Sequence, residues 1–464
     1  MALATSQPEM ETLYEKHVKI RPRPVRGRFQ NLRNASVIVL LGIFHILPFL
    51  QWGDRQAILF DMAHRRFFIF GINIWPQDFI LLTFILLGLA LVLFLFTAML
   101  GRVWCGYACP HTVYTEVFLW LEQKFEGNRS EQLQLARLPW TNPKKILRRG
   151  AKYIAWFLVS LAAGIGFVGY FTPIRQLIPD FFSFNASSAA TLCIMGYGGF
   201  TWLMAGLVRE QFCKYICPYA RFQGAMFDQD TLIIAYDEKR GEPRRRLKKS
   251  DREDKSALGF CVDCTMCVQV CPTGIDIRDG LQLECIACAA CIDACDHMMD
   301  QIGAPRGLIR YTSSKGLEGK PTRVLRPKTI GYAVVLSIAF TLFVVALLKK
   351  SDVELDVIAD RNMLSKVVDR GRKVQNAYVI KVLNKTEKKR EYQLGIKGLD
   401  GAEILPNRVW VVEPSQVFED VVSVNVPRDS LDELLTTFEF TLTPLDKPED
   451  VHRQEATFTG LLKR

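Results

Sequence analysis

Residues 261–295 read CVDCTMCVQVCPTGIDIRDGLQLECIACAACIDAC. Cys261, Cys264, Cys267 and Cys271 form one C-x2-C-x2-C-x3-C run, and Cys285, Cys288, Cys291 and Cys295 repeat it after thirteen intervening residues. In this bacterial ferredoxin spacing three cysteines of a run wrap one iron–sulfur cube and the fourth ligates the other. The spacing therefore predicts two [4Fe–4S] clusters. Cys261, Cys264, Cys267 and Cys295 would hold one, and Cys285, Cys288, Cys291 and Cys271 the second. Small residues in the loops (Thr265, Thr273, Gly274, Ala287, Ala289, Ala290) leave room for backbone N–H groups to face the sulfides. Paired C-x2-C units also make structural zinc sites. Zinc takes one set of four ligands, which leaves eight cysteines in duplicated order unexplained. One half departs from the pattern: Pro272 follows Cys271 and fixes φ, whereas Asp296 and His297 follow Cys295.

Working outward, the 464 residues are 49% hydrophobic and carry a net charge of +11. That length allows about three domains. Twelve of the thirteen cysteines fall into ordered motifs, which favours a metal framework over a disulfide scaffold. Five apolar runs approach the roughly 20 residues needed to cross a bilayer: Asn34–Trp52, Phe79–Leu100, Tyr153–Phe171, Ala186–Val208 and Thr329–Leu348. Residues 1–33 form a basic arm with no cleavable signal peptide. The segments Gly101–Lys152 and Arg209–Lys328 are rich in Lys and Arg, while Gly53–Asp78 and Thr172–Asn185 are poorer. By the positive-inside rule the arm, the loop after span two and the 209–328 segment lie in the cytoplasm, with the ferredoxin domain at about 255–305. Five spans then put 351–464 on the far side, the periplasm of a Gram-negative cell. The run Arg244–Lys249 reads as a solvated or lipid-facing basic face, so no nucleic-acid partner is expected.

Beyond the fifth span the hydrophobic period becomes two. Tyr378, Ile380 and Val382 alternate with Val379, Lys381 and Leu383, and Phe438, Phe440 and Leu442 continue the pattern, with turn signals such as Gly398-Leu399-Asp400-Gly401 between strands. Several short strands over about a hundred residues predict an immunoglobulin-like antiparallel β-sandwich. The expected fold is thus a five-helix transmembrane bundle with an inserted two-cluster ferredoxin domain and a C-terminal β-sandwich. A docking or assembly role is the reading for that last domain, beside a plain stability module.

A second motif is duplicated. Trp104-Cys105-Gly106-Tyr107-Ala108-Cys109-Pro110 follows span two, and Phe212-Cys213-Lys214-Tyr215-Ile216-Cys217-Pro218 follows span four. Spans one–two and three–four thus look like two copies of one hairpin within residues 34–208. A C-x3-C spacing on a continued helix would put both sulfurs on one face. Four such thiols, Cys105, Cys109, Cys213 and Cys217, would make a soft site suited to Cu(I) or another thiophilic centre. Alternatively the prolines merely end the spans and the cysteines are buried apolar residues. His111 is a further candidate ligand, though a lone interfacial His more often only hydrogen-bonds. Cys193 and Met195, Met204 and Met226 read as packing.

With these residues in view, the chain resembles the cytochrome c oxidase accessory protein family called CcoG, FixG or RdxA. The resemblance runs over nearly the whole length. It rests on Trp104–Pro110, on Glu210–Gln223 (EQFCKYICPYARFQ), and on Asp230–Ile233, Tyr236-Asp237 and Arg240–Arg244, joined to the double ferredoxin run. It implies a multi-pass inner-membrane oxidoreductase with two [4Fe–4S] clusters. Such a protein reduces Cu(II) and supplies Cu(I) for assembly of cbb3-type cytochrome c oxidase. Copper is then substrate or transient ligand, the four C-x3-C-P cysteines are the catalytic site, and a copper exporter or chaperone and oxidase subunits are the expected partners. A homodimer is compatible with it. Two other readings stand beside this one: a quinol dehydrogenase of the membrane-ferredoxin type, and a non-enzymatic assembly scaffold.

Overall fold

The computed structural model describes residues 19–244, 259–360 and 365–460, apart from Glu387, Ser415 and Asp432. The basic run Arg245–Lys249, the first eighteen residues of the arm and the start of the expected ferredoxin segment lie outside the described residues. The chain divides into two units, Met1–Met62 with Phe84–Thr341, and Ala63–Thr83 with Leu342–Arg464.

Helix α1 runs Arg28–Ile46, α2 Phe79–Leu100, α3 Val103–Tyr107, α4 Pro110–Glu126 and α5 Pro143–Val168. Helix α6 runs Ser188–Thr201, α7 Pro218–Met226, α8 Met266–Gln269, α9 Ala290–Ile302 and α10 Pro327–Leu348. Among the described residues five stretches are long and apolar enough to cross a membrane: Arg28–Phe49, Phe79–Leu100, Pro143–Val168, Ser188–Val208 and Pro327–Leu348. Arg28–Phe49 and Pro143–Val168 start well before the Asn34 and Tyr153 that the apolar pattern suggests, because capping rather than hydropathy fixes a helix start. In α5, Asn142 is the N-cap and its side chain accepts from the Lys144 N–H at 3.0 Å, with Pro143 at the first helical position. In α1 the start is capped from another element: the Asp293 carboxylate of α9 accepts from the Phe29 and Gln30 backbone N–H groups at 3.3 and 2.8 Å. Gly27 precedes α1 because an added Cβ would lie 2.2 Å from that carboxylate. The first span is thereby tied to the cysteine-bearing domain.

The third and fourth spans form a close hairpin. At Gly164 an added Cβ would meet the Ile194 carbonyl oxygen at 2.3 Å, and at Gly198 the Ser160 oxygen at 2.9 Å. Small residues that let backbones touch are the usual means of helix association where lipid removes the hydrophobic drive. In the same unit, β1 (Ile233–Tyr236) pairs antiparallel with β2 (Ile309–Thr312), bracketing the cysteine runs.

The second unit holds the sandwich. Its strands are β3 (Val353–Ala359), β4 (Lys366–Val368), β5 (Lys373–Asn384), β6 (Arg390–Lys397), β7 (Glu403–Leu405), β8 (Trp410–Val412), β9 (Val417–Pro427), β10 (Leu435–Pro444) and β11 (His452–Thr459). One sheet has the order β7-β9-β5-β3, with β4 also on β5, and the other β8-β6-β10-β11. Every pairing is antiparallel, with Ile380 opposite Asp420 and Leu394 opposite Leu442. Tyr378, Ile380, Val382, Trp410, Phe438 and Phe440 fill the core, so the period-two pattern reports which side chains face inward. At the membrane end of this unit Asp78 binds Lys385 at 3.0 Å and Lys350 at 3.2 Å, both well shielded.

Packing at Gly164 gives a direct test. Gly164→Ala should cost about 1–3 kcal/mol, the usual price of overpacking, and lower the thermal midpoint in detergent. Gly196→Ala on the same hairpin, where an added Cβ meets nothing within 4 Å, should change stability by less than about 0.5 kcal/mol. Equal midpoints for the two variants would rule out close backbone packing there.

Candidate metal centre

The two cysteine loops share one backbone shape. In the first, Asp263 and Thr265 on either side of Cys264 have φ of 47° and 56°; in the second, Ala287 and Ala289 on either side of Cys288 have 53° and 61°. None is glycine, so each stores strain of about 1 kcal/mol or more. Left-handed residues between others curl successive N–H groups into a concave, anion-seeking nest. Thr265 and Ala289 then serve as the N-caps of α8 and α9.

Two cavities lie inside these loops. Cys261, Cys264, Cys267 and Cys295 line one, together with Met299, Leu308 and Ile309. Cys271, Cys285, Cys288 and Cys291 line the other, with Cys267 also on its wall beside Ile234, Ile277 and Ile286. Each set takes three cysteines from one run and the fourth from the other. Four soft donors around a small apolar hollow fit an iron–sulfur cube. Burial pushes the Cys267, Cys285 and Cys295 thiols up to about 12, so a bound cationic centre is what makes thiolates affordable there.

The C-x3-C-P motifs sit against the second hollow. Their helices are not continuous, contrary to the one-face expectation. Span two ends at Gly101 (φ 60°) and span four at Arg209 (φ 45°), each four residues before the motif's first cysteine. Cys105 then rides on α3, and Cys213 on a π-helical turn, Phe212–Ile216. The second cysteine of each motif is extended, caps the next helix and precedes a proline at its first position. The same i→i−5 bond closes both turns: Cys109 N–H to the Trp104 carbonyl at 2.9 Å and Cys217 N–H to the Phe212 carbonyl at 2.8 Å. Duplication in the sequence is thus duplication of backbone.

All four thiols come near one another. Burial pushes Cys105 up to about 12, with Cys109, Cys213 and Cys217 acting the same way, and Cys213 is raised likewise. Cys105 and Cys213 pack with Val270, Ile286, Cys288 and Ala290, and the Cys105 thiol donates to Gln223 Oε1 at 3.1 Å. Gly106 explains the fit: an added Cβ would lie 2.8 and 2.9 Å from the Ile286 and Ala287 carbonyl oxygens. The Tyr107 hydroxyl reaches the Cys288 carbonyl at 3.4 Å and Tyr311 the Ala287 carbonyl at 2.5 Å. His111 Nε2 pairs with the Arg209 carbonyl at 2.9 Å. Cys193, read as packing, is exposed on its span. Among the described residues no three His, Cys, Asp or Glu side chains converge tightly enough to hold a lone metal ion. The four thiols form a loose soft-donor patch.

Sequence reasoning passed over the residues that fix this geometry. Arg102 binds the Leu283 and Ala220 carbonyls, bridging the first motif to the cysteine domain and to α7. Glu122 of α4 accepts from Lys19 at 2.6 Å and Arg209 at 2.5 Å, while Lys152 bonds Glu126 at 2.5 Å. Burial alone would raise the Glu122 carboxyl, but Arg209, Lys19 and Lys152 outweigh it and hold the group down at about 2. The available signal was positional: Gly101 and Arg209 stand at matching places in the repeat.

With this geometry in hand, three families match. Residues 208–314 match a 4Fe-4S dicluster domain, 81–128 a 4Fe-4S binding domain, and 343–460 the Ig-like fold at the C-terminus of FixG. The 81–128 segment contains only two cysteines, Cys105 and Cys109. The nitrogen fixation protein FixG of Rhizobium meliloti is 36% identical over 97% of this chain and 95% of its own. Protein RdxA of Cereibacter sphaeroides is 41% identical over 84% and 85%. A FixG-related protein from Vibrio parahaemolyticus, known as a crystal structure, is 33% identical over 24% of this chain and all of its own, with a TM-score of 0.22.

Left-handed alanines predict a graded response. Ala289→Val puts a β-branched side chain where φ is 61° and should cost roughly half the bound iron, read by metal analysis of anaerobically purified protein. Ala289→Gly should keep full iron. Equal iron in both variants would mean the loop shape is unimportant to the centre.

Proposed function

This chain belongs to the FixG/RdxA family, and from that premise we propose that it is a Cu(II) reductase supplying Cu(I) for assembly of a cbb3-type oxidase. At the coarser level it is a membrane iron–sulfur electron-transfer protein. The observation that supports the finer reading is the packing of Cys105 and Cys213, the first cysteine of each C-x3-C-P motif, against the wall of the second cysteine hollow, with Cys109 and Cys217 in the same two turns.

In this reading Cys261, Cys264, Cys267 and Cys295 hold one [4Fe–4S] cluster, and Cys271, Cys285, Cys288 and Cys291 the other. Bound there, the clusters supply one-electron storage and release. The C-x3-C-P thiols receive copper as substrate. Cu(II) prefers nitrogen and oxygen donors and Cu(I) prefers sulfur, so a thiol patch favours the product oxidation state. Reduction adds one electron to Cu(II). Because the patch is loose, the reduced ion is released to a chaperone or exporter rather than kept. Gly106 and Tyr107 hold the first thiol pair on the cysteine loop, and the Glu122–Arg209 pair holds the turn that carries the second. The basic connections orient the arm and cysteine domain to the cytoplasm and the sandwich to the periplasm of the inner membrane. The sandwich is then free to contact assembly partners.

The test replaces Cys105, Cys109, Cys213 and Cys217 together by serine. Dithionite-reduced variant should lose Cu(II) reduction by at least about tenfold, as judged by a Cu(I)-selective chelator, while its iron content and cluster absorption stay unchanged. Undiminished Cu(I) production would refute the assignment.

A further inference from the structure

The two cysteine hollows differ in the cations that face them. At the first, Arg278 lines the wall beside Cys267 and Cys295. Its guanidinium pairs with Asp263 at 2.7 Å and with Asp276 at 2.6 Å, so its charge is fully offset. At the second, Arg33 acts on Cys288 but is paired with Glu116. Arg102 is different. It is only 5% exposed, and its guanidinium donates to the carbonyl oxygens of Leu283, Ala220 and, at 3.4 Å, Cys285 itself. Those carbonyls are its only hydrogen-bond partners among the described residues, and no carboxylate joins them. A buried charge without a counter-charge is unfavourable. Carbonyl dipoles relieve part of this, and the remainder calls for an anion close by. Burial pushes the Cys285 thiol up to about 12, and Arg102 works against that rise; it does the same for Cys105 and Cys213 in the thiol patch.

We propose that Arg102 raises the reduction potential of the centre held by Cys271, Cys285, Cys288 and Cys291, and leaves the other centre unmoved. The inference rests on the iron–sulfur reading above and names the residue that tunes one of its two centres. A cube bound by four thiolates is an anion, and net charge and solvent exposure around it are what set its potential. Reduction adds one electron and makes or breaks no bond. A fixed positive charge therefore acts on the equilibrium alone, by favouring the more negative form. Ile234, Ile275, Ile277 and Ile286 wall the hollow and exclude the water that would screen that charge. At the first hollow the two carboxylates on Arg278 cancel the same effect. A raised potential favours residence of the electron at the hollow against which Cys105 and Cys213 pack. Arg102 is a positioning residue for the first C-x3-C-P turn, and its charge is a separate property from its bonds.

The experiment uses full-length protein in nanodiscs at low ionic strength, poised anaerobically with dithionite at controlled potentials, with the reduced-cluster EPR signals followed in the absence of copper. Arg102→Gln should lower one midpoint so that the ratio of reduced to oxidised centre at a fixed potential falls at least about tenfold, which is about 59 mV for a one-electron couple. Arg102→Lys, which keeps the charge, should change that ratio less than about threefold. Leu281 is 53% exposed and lines a small cavity with Arg102 and Cys285. Leu281→Glu sets a carboxylate at that cavity without touching the arginine's bonds. It should lower the same midpoint, with a ratio change of about threefold or more, and it alone decides if Arg102→Gln binds no iron. Asp263→Asn, at a left-handed position that asparagine tolerates, removes one carboxylate from Arg278 and should raise the other midpoint. Unmoved midpoints in Leu281→Glu, equal shifts of both midpoints, a shift in Arg102→Lys as large as in Arg102→Gln, or a shift of the same midpoint by Asp263→Asn would overturn the proposal. Zinc in place of iron would instead overturn the cluster assignment. Copper enters none of these measurements, so failure here is distinct from failure of the copper reading.

Discussion

Backbone contact between a membrane hairpin and a cysteine loop is the constraint on which this architecture depends. At Gly106 there is no room for a Cβ, because the Ile286 and Ala287 carbonyls occupy its place. At Gly27 the Asp293 carboxylate does. Both partners lie inside the second cysteine run, between Cys285 and Cys295. The cysteine domain is thus fastened to span one through its own α9 and to span two through its own loop. Electrons leaving such a domain have a short, fixed course to the membrane face, set by packing rather than by diffusion of a soluble ferredoxin.

Charge burial at the same level works to the same end. Glu122, Lys152 and Arg209 are each nearly inaccessible, and ion pairs so placed seldom add net stability over apolar residues of like size. Removing one partner, however, strands the others at a cost of roughly 3–5 kcal/mol. The network therefore acts as a lock on geometry. It joins α4, which begins at the first C-x3-C-P motif, to Arg209, which precedes the second. That lock also stabilises the unusual φ of 45° at Arg209, where glycine would be the unstrained choice.

Much of this was legible in the sequence, for stated reasons. Five spans could be read because a bilayer imposes length and apolarity on any helix within it. The sandwich could be read because Tyr378, Ile380 and Val382 alternate with outward residues on β5. Helix starts at Arg28 and Pro143 could not, since they depend on the Asp293 carboxylate and the Asn142 side chain rather than on hydropathy. Nor could the break in the C-x3-C helices. A spacing of four suits a continuous helix, and only the left-handed residues at Gly101 and Arg209 show that each span stops first. Arg33, Arg102 and Glu122 looked like ordinary interfacial charges. Their roles appear only when distant segments meet.

The two copies of the hairpin motif have kept their backbone and divided their surroundings. In the first, Gly106 and Tyr107 are buried on the cysteine loop; in the second, Lys214 and Tyr215 stand at the matching positions, and Tyr215 is exposed. Glycine is required where the loop presses, and lysine is tolerated where it does not. The first copy is docked through its whole turn, the second through its first cysteine: Cys105, hydrogen-bonded to buried Gln223, and Cys213 both pack on the loop that carries Cys288.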